Sequence, residues 1–167
     1  MIRQPSKLLL GILAVYLFLA SWNAVTRGPR GDEVQFANPA LDLITRGKTG
    51  VTILSGAGAH PELTPVDAHS RTYSYWAMPL SFVSLAAWFK IVGFGFFQMR
   101  AWAVLMGLLG LVSWYCVVRA LTDSRAAALV AAGLISVDHA FLDAAADGRP
   151  DMQSAALACA SIAAYLL

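Results

Sequence analysis

Asp32 and Glu33 form an adjacent carboxylate pair just beyond an apolar run over residues 8–25. A carboxylate partly buried beside a like charge has a raised pKa, which suits it to take a proton from a hydroxyl. One acid of such a pair can act as general base while the other binds a metal or orients the acceptor. A plain alternative exists: acids favour a helix N-terminus by a few tenths to about 1 kcal/mol, and capping alone would put them here. The second constellation is Asp147-Gly148-Arg149-Pro150-Asp151, at the mouth of the last apolar run. The planar fork of Arg149 suits a phosphate, although Pro150 and Asp151 also make an ordinary helix start. In the third, His69 and Arg71 could point polar groups at an anionic ligand, while Tyr73, Tyr75 and Trp76 read as an aromatic belt. Asp138, His139 and Asp143 read as part of a solvated loop. Nucleophile elbow, phosphate-binding loop and Cys/His metal spacing are all missing from the sequence. Cys116 and Cys159 lie inside apolar runs and read as small buried side chains.

The elements that must position these residues are set by composition. Hydrophobic residues make up 58% and charged residues 13% of the 167, with a mean hydropathy of +0.62. A soluble domain is about 45–50% apolar and about 25% charged. An integral membrane protein follows, with an all-α, polytopic helical bundle. The net charge of +2 is too small to imply a nucleic-acid partner, and no Lys/Arg cluster suggests one.

A spanning helix needs about 20 mostly apolar residues. Candidate spans fall at about 8–25, 76–91, 101–118 and 152–167, with a short segment at 126–137. Arg3 and Lys7 place the N-terminus in the cytoplasm and residues 26–75 outside. This first external loop balances five basic residues against five acids, and a loop so long is uncommon without a job. Within it, Asp32 to Arg46 has the spacing of an amphipathic helix lying in the interface. Pro39 should bend or split that helix, and Gly47 and Gly50 should end it. Residues 51–70, rich in Gly, Pro, Ser and Thr, read as a loop. Lys90 and Arg100 flank the Gly93–Gly95 break and read as cytoplasmic. If every run crosses, Asp151 falls on the side opposite Asp32; if 126–137 is re-entrant, the two acidic regions share the outer face. The final run is still apolar at Leu167, which leads us to expect the N-terminal part of a longer protein.

In order, Gly31-Asp32-Glu33-Val34-Gln35-Phe36-Ala37 with Leu43 and Gly47, then Pro79-Leu80, Arg100 and Arg149-Pro150-Asp151, resemble the GT-C membrane glycosyltransferases. The nearest pattern is that of the dolichyl-phosphate-mannose protein mannosyltransferases and the lipid A aminoarabinose transferases. The resemblance implies an enzyme at the outer face of a bacterial-type plasma membrane. It would move a sugar from a polyprenyl-phosphate donor to a protein, lipid or glycan hydroxyl, with inversion. It further implies Asp32 as catalytic base, supported by Glu33, and Arg149 as the contact for the carrier phosphate. Asp151 would complete an acidic site that in some relatives holds a divalent cation, magnesium or manganese, here between Asp32 and Asp151. Relatives often carry Lys-Pro-Pro-Leu where this chain has Ala77-Met78-Pro79-Leu80, so Arg71 or His69 would have to replace the lysine as a donor contact. Two other readings compete: a transporter fragment and a non-catalytic membrane subunit. A transporter predicts acids within the spans, whereas all ten acids fall outside the apolar runs.

Overall fold

The computed structural model describes residues 7–50, Tyr73 and residues 79–167, with the backbone alone at Gly31 and Asp32. Among these residues it is all-helical: α1 Lys7–Thr26, α2 Gly31–Arg46, α3 Pro79–Val92, α4 Phe96–Thr122, α5 Arg125–Val137, α6 His139–Ala146 and α7 Asp151–Leu166. The expected loop 51–70 and the belt residues Tyr75 and Trp76 lie outside the described residues. The helices fall into two compact units, and the boundary between them runs through α4 and around Gly148–Pro150.

The first unit holds α1, α4 from Ala103 onward, α5, α6 and α7. Helix α1 is apolar on every side, as expected of a helix surrounded by protein and lipid. It turns one stripe inward, Leu9, Tyr16, Ala20 and Ala24, at the spacing that aligns side chains on a helix. Alanines and a serine face it from α5 (Ala128, Ala132, Ser136) and alanines from α6 (Ala145, Ala146), small enough for helix axes to approach closely. The Tyr16 hydroxyl, fully buried, donates to the Val104 carbonyl at 2.8 Å. Gly107 makes room for it, because a Cβ there would overlap that hydroxyl and sit 3.1 Å from Ala145 Cβ. Large side chains such as Phe18, Trp22 and Val130 point outward, each more than 60% exposed. That is the surface a bilayer covers, not water.

Among the described residues, two helices are long and apolar enough to cross a membrane, α1 with 20 residues and α4 with 27. The pair α5 and α6 makes a third candidate, bent by 62° at Asp138. One side chain explains the bend. The Asp138 N–H closes α5 on the Ile135 carbonyl, and its Oδ1 accepts from the Phe141 N–H to open α6. Where a solvated loop was expected at Asp138, His139 and Asp143, the chain forms a helix opened by a capping acid. Asp143 pairs with Arg27.

The second unit holds residues 28–102 with Gly148–Pro150. Helix α2 is amphipathic, and its apolar positions Ala37, Ala40, Leu43 and Ile44 pack with Leu85, Ala86 and Phe89 of α3. Pro39 is fully buried within it and the helix continues through without splitting. Gly47 ends it with φ 68°, its N–H on the Leu43 carbonyl at 3.2 Å; left-handed backbone of this kind favours glycine. Helix α3, with 14 residues, rises only about 21 Å. That is short of the ~30 Å hydrocarbon core. The chain turns at Gly93, and the Trp88 indole N–H donates to the Gln98 carbonyl at 2.7 Å, tying α3 to the start of α4.

Candidate functional site

Glu33 occupies the third position of α2, where its carboxylate can reach back to the open end of its own helix. It accepts the Arg30 N–H on Oε2 at 2.9 Å, which satisfies one of the donors every helix start leaves open. The remaining partners come from far along the chain. Arg100, one turn into α4, donates Nε to Oε1 at 2.8 Å and Nη2 to Oε2 at 2.9 Å. Nη2 also reaches the Gly28 carbonyl at 2.9 Å. The Gly148 N–H donates to Oε1 at 3.0 Å. The Arg100 guanidinium lies 4.1 Å over the Phe96 ring. Glu33 and Arg100 are 0% and 1% exposed.

This cluster is self-consistent electrostatically. Burial by itself would push the Glu33 carboxyl up. The Arg100 guanidinium, with the Arg30 and Gly148 N–H groups, outweighs it and holds the carboxyl below the usual glutamate range. Sequence reasoning anticipated a raised value for a buried acid beside a like charge. The opposite holds, because a buried acid that is matched by a fork of donors prefers its charged form.

The predicted site residues are distributed as follows. Asp32 is in the first turn of α2, and its side chain lies outside the described residues. Glu33 is the buried anchor. Arg149 directly follows Gly148 and is exposed, within the same unit as Glu33. Asp151 opens α7 and is exposed in the first unit. His69 and Arg71 lie outside the described residues. Among the described residues, no group of three or more His, Cys, Asp or Glu side chains could hold a metal ion. Glu33 itself is no metal ligand, since N–H donors fill both of its oxygens.

Sequence reading missed Arg100 and placed it in the cytoplasm, across the membrane from the Asp32 loop. The ion pair corrects that: Arg100 and Glu33 are on one face. Helix α3 packs along α2, and the ion pair joins the start of α2 to the start of α4. A single arginine near the head of an apolar run was the available signal, because a buried charge requires a partner. If α1, α4 and the bent pair α5–α6 each cross once, the residues after α1 and those before α7 emerge on the same side without a re-entrant 126–137.

Comparison with curated proteins and with solved structures gives no match. The sequence model of the dolichyl-phosphate-mannose-protein mannosyltransferases matches residues 77–167, a stretch that takes in Arg100, Arg149 and Asp151 and begins after the Asp32-Glu33 pair. With more than half of its length matched, on an all-helical fold with two or three candidate spans, the chain belongs to the dolichyl-phosphate-mannose-protein mannosyltransferase family, of the GT-C membrane glycosyltransferases.

Proposed function

We propose that this protein transfers a sugar from a polyprenyl-phosphate carrier, of the dolichyl-phosphate type, to a hydroxyl of a protein, lipid or glycan at the outer face of the plasma membrane. Asp32 is the base of this reading. It removes the proton of the acceptor hydroxyl as that oxygen attacks the anomeric carbon. The bond from carbon to the phosphate oxygen breaks, the configuration inverts, and polyprenyl phosphate leaves. A phosphate monoester of this kind is already a good leaving group, so a cation facing it suffices in place of an acid. Arg149 supplies that cation, with a fixed charge and a planar fork. His69 and Arg71 are further candidates for the donor phosphate in place of the family's lysine. A magnesium or manganese ion is the metal component of the reading, with Asp32 and Asp151 as the acids that the resemblance offers it, and no step above depends on it.

One observation carries the proposal. The Glu33 carboxylate binds the start of α2 and Gly148 together, so the residue before Glu33 and the residue after Gly148, Asp32 and Arg149, belong to one locality. Glu33 then serves the site as its anchor. A groove in the first unit, lined by Trp114, Val117, Ile135, Met152, Cys159 and Ile162 with a volume of about 290 Å³, suits a polyprenyl chain.

Asp32→Asn in the full protein tests this. Transfer from radiolabelled polyprenyl-phosphate hexoses should vanish in membranes while insertion and abundance stay unchanged. Transfer at the parent rate would remove Asp32 from the chemistry and leave the non-catalytic subunit as the better reading.

A further inference from the structure

Gly148, Arg149 and Pro150 are an anomaly of the chain's division. Asp147 before them and Asp151 after them belong to the first unit, yet these three residues belong to the second. Two contacts account for it. The Gly148 N–H donates to Glu33 Oε1 at 3.0 Å, and the Gly148 Cα lies so close to Met99 that a Cβ would press into its side chain. The first contact depends on Arg100. Without it, Glu33 would be a buried carboxylate with two backbone N–H partners, far short of what a charge needs away from water. Arg100 in turn is oriented on three sides, by the carboxylate fork, the Gly28 carbonyl and the Phe96 ring. A guanidinium can serve all three at once because its donors are coplanar while its face remains available for the ring; a lysine ammonium cannot.

We infer that Arg100 is a positioning residue for sugar transfer: through Glu33 it holds the Gly148–Pro150 segment, and with it Arg149, against the start of α2. Arg100 itself touches neither donor nor acceptor. The inference rests on the proposed role of Arg149 and adds the mechanism that places it.

Arg100→Lys, in the full protein in lipid nanodiscs, is the direct test. The charge stays, the fork and the Gly28 contact go. The donor KM should rise on the order of tenfold, as expected when a binding group is displaced by a fraction of an ångström, with the acceptor KM unchanged. Arg149→Ala should then cost less than about twofold more in the Arg100→Lys background, although it costs about tenfold alone; linked groups fail to add. Additive losses would overturn the inference. Phe96→Leu, which loosens Arg100 without touching the ion pair, should give a weaker version of the same pattern should Arg100→Lys fail to insert; a parent donor KM there would overturn it. Hydrogen exchange at the Gly148 amide separates the two readings. Faster exchange in Arg100→Lys with no effect of Arg149→Ala on donor KM would refute the phosphate role and keep the positioning. Unchanged protection in Arg100→Lys would refute the positioning whatever the kinetics.

Discussion

Glu33→Gln is nearly isosteric, yet it should be among the most damaging single changes available to this protein. Each carboxylate oxygen accepts two N–H donors: Oε1 from Arg100 Nε and Gly148, Oε2 from Arg100 Nη2 and Arg30. A glutamine has one oxygen, so either orientation of its amide sets an NH2 group against two donors. At least two of the four bonds are lost, and Arg100, 1% exposed, loses the carboxylate that its Nε and Nη2 share. Removing one partner of a buried pair costs about 3–5 kcal/mol. At about 2–4 °C per kcal/mol for a chain of this size, the unfolding midpoint should drop on the order of 10 °C. Replacing both partners, Glu33→Leu with Arg100→Met, should cost less than Glu33→Gln alone, because the buried guanidinium goes together with the carboxylate it binds. Thermal unfolding in nanodiscs, followed by tryptophan fluorescence and far-UV circular dichroism, measures all three. Acid supplies a second axis. The folded carboxyl titrates below its unfolded value of about 4.3, so its stabilisation is complete above that pH and is lost as pH falls through the lower, folded value. The gap between parent and Glu33→Gln should therefore narrow below about pH 4.3. A midpoint for Glu33→Gln within about 2 °C of the parent at pH 7, or a gap that stays constant in acid, would refute the reasoning.

Two other outcomes follow from the packing. Gly107→Ala should destabilise by about 1–3 kcal/mol, the usual cost of overpacking, and Tyr16→Phe should partly rescue it by removing the hydroxyl that the new methyl overlaps; equal midpoints for the single and double variants would contradict this. For topology, cysteines placed singly at positions 32, 94 and 149 of a variant lacking Cys116 and Cys159 should label with an impermeant maleimide from one side of the membrane, and a cysteine at 124 from the other. Labelling of 94 from the side of 124 would mean that α3 crosses.

Much of the fold is legible in the sequence. Apolar runs with every acid outside them dictate a membrane helical bundle, because hydrocarbon accepts neither exposed charge nor unpaired backbone. The amphipathic spacing of 32–46 and the glycine at 47 mark α2 and its end, since both are local properties of the chain. Short-range chemistry also misled. Residues 138–146 look like a loop when counted by polarity, but an aspartate can cap a helix as readily as it can be solvated, and Asp138 does so. Residues 76–91 read as a span by hydropathy, which cannot say that one face of α3 packs on α2.

The reading of Glu33 marks the limit most clearly. Residue type and position identified a carboxylate pair beside a membrane and the arginine-bearing segment that belongs with it, because charge, hydropathy and helix capping are written in neighbouring residues. Which acid is buried, which way its pKa moves and which arginine it meets depend on groups 67 and 115 residues away. Desolvation and hydrogen bonding are set by whatever the fold brings within about 3 Å, and that is a property of the packed chain alone.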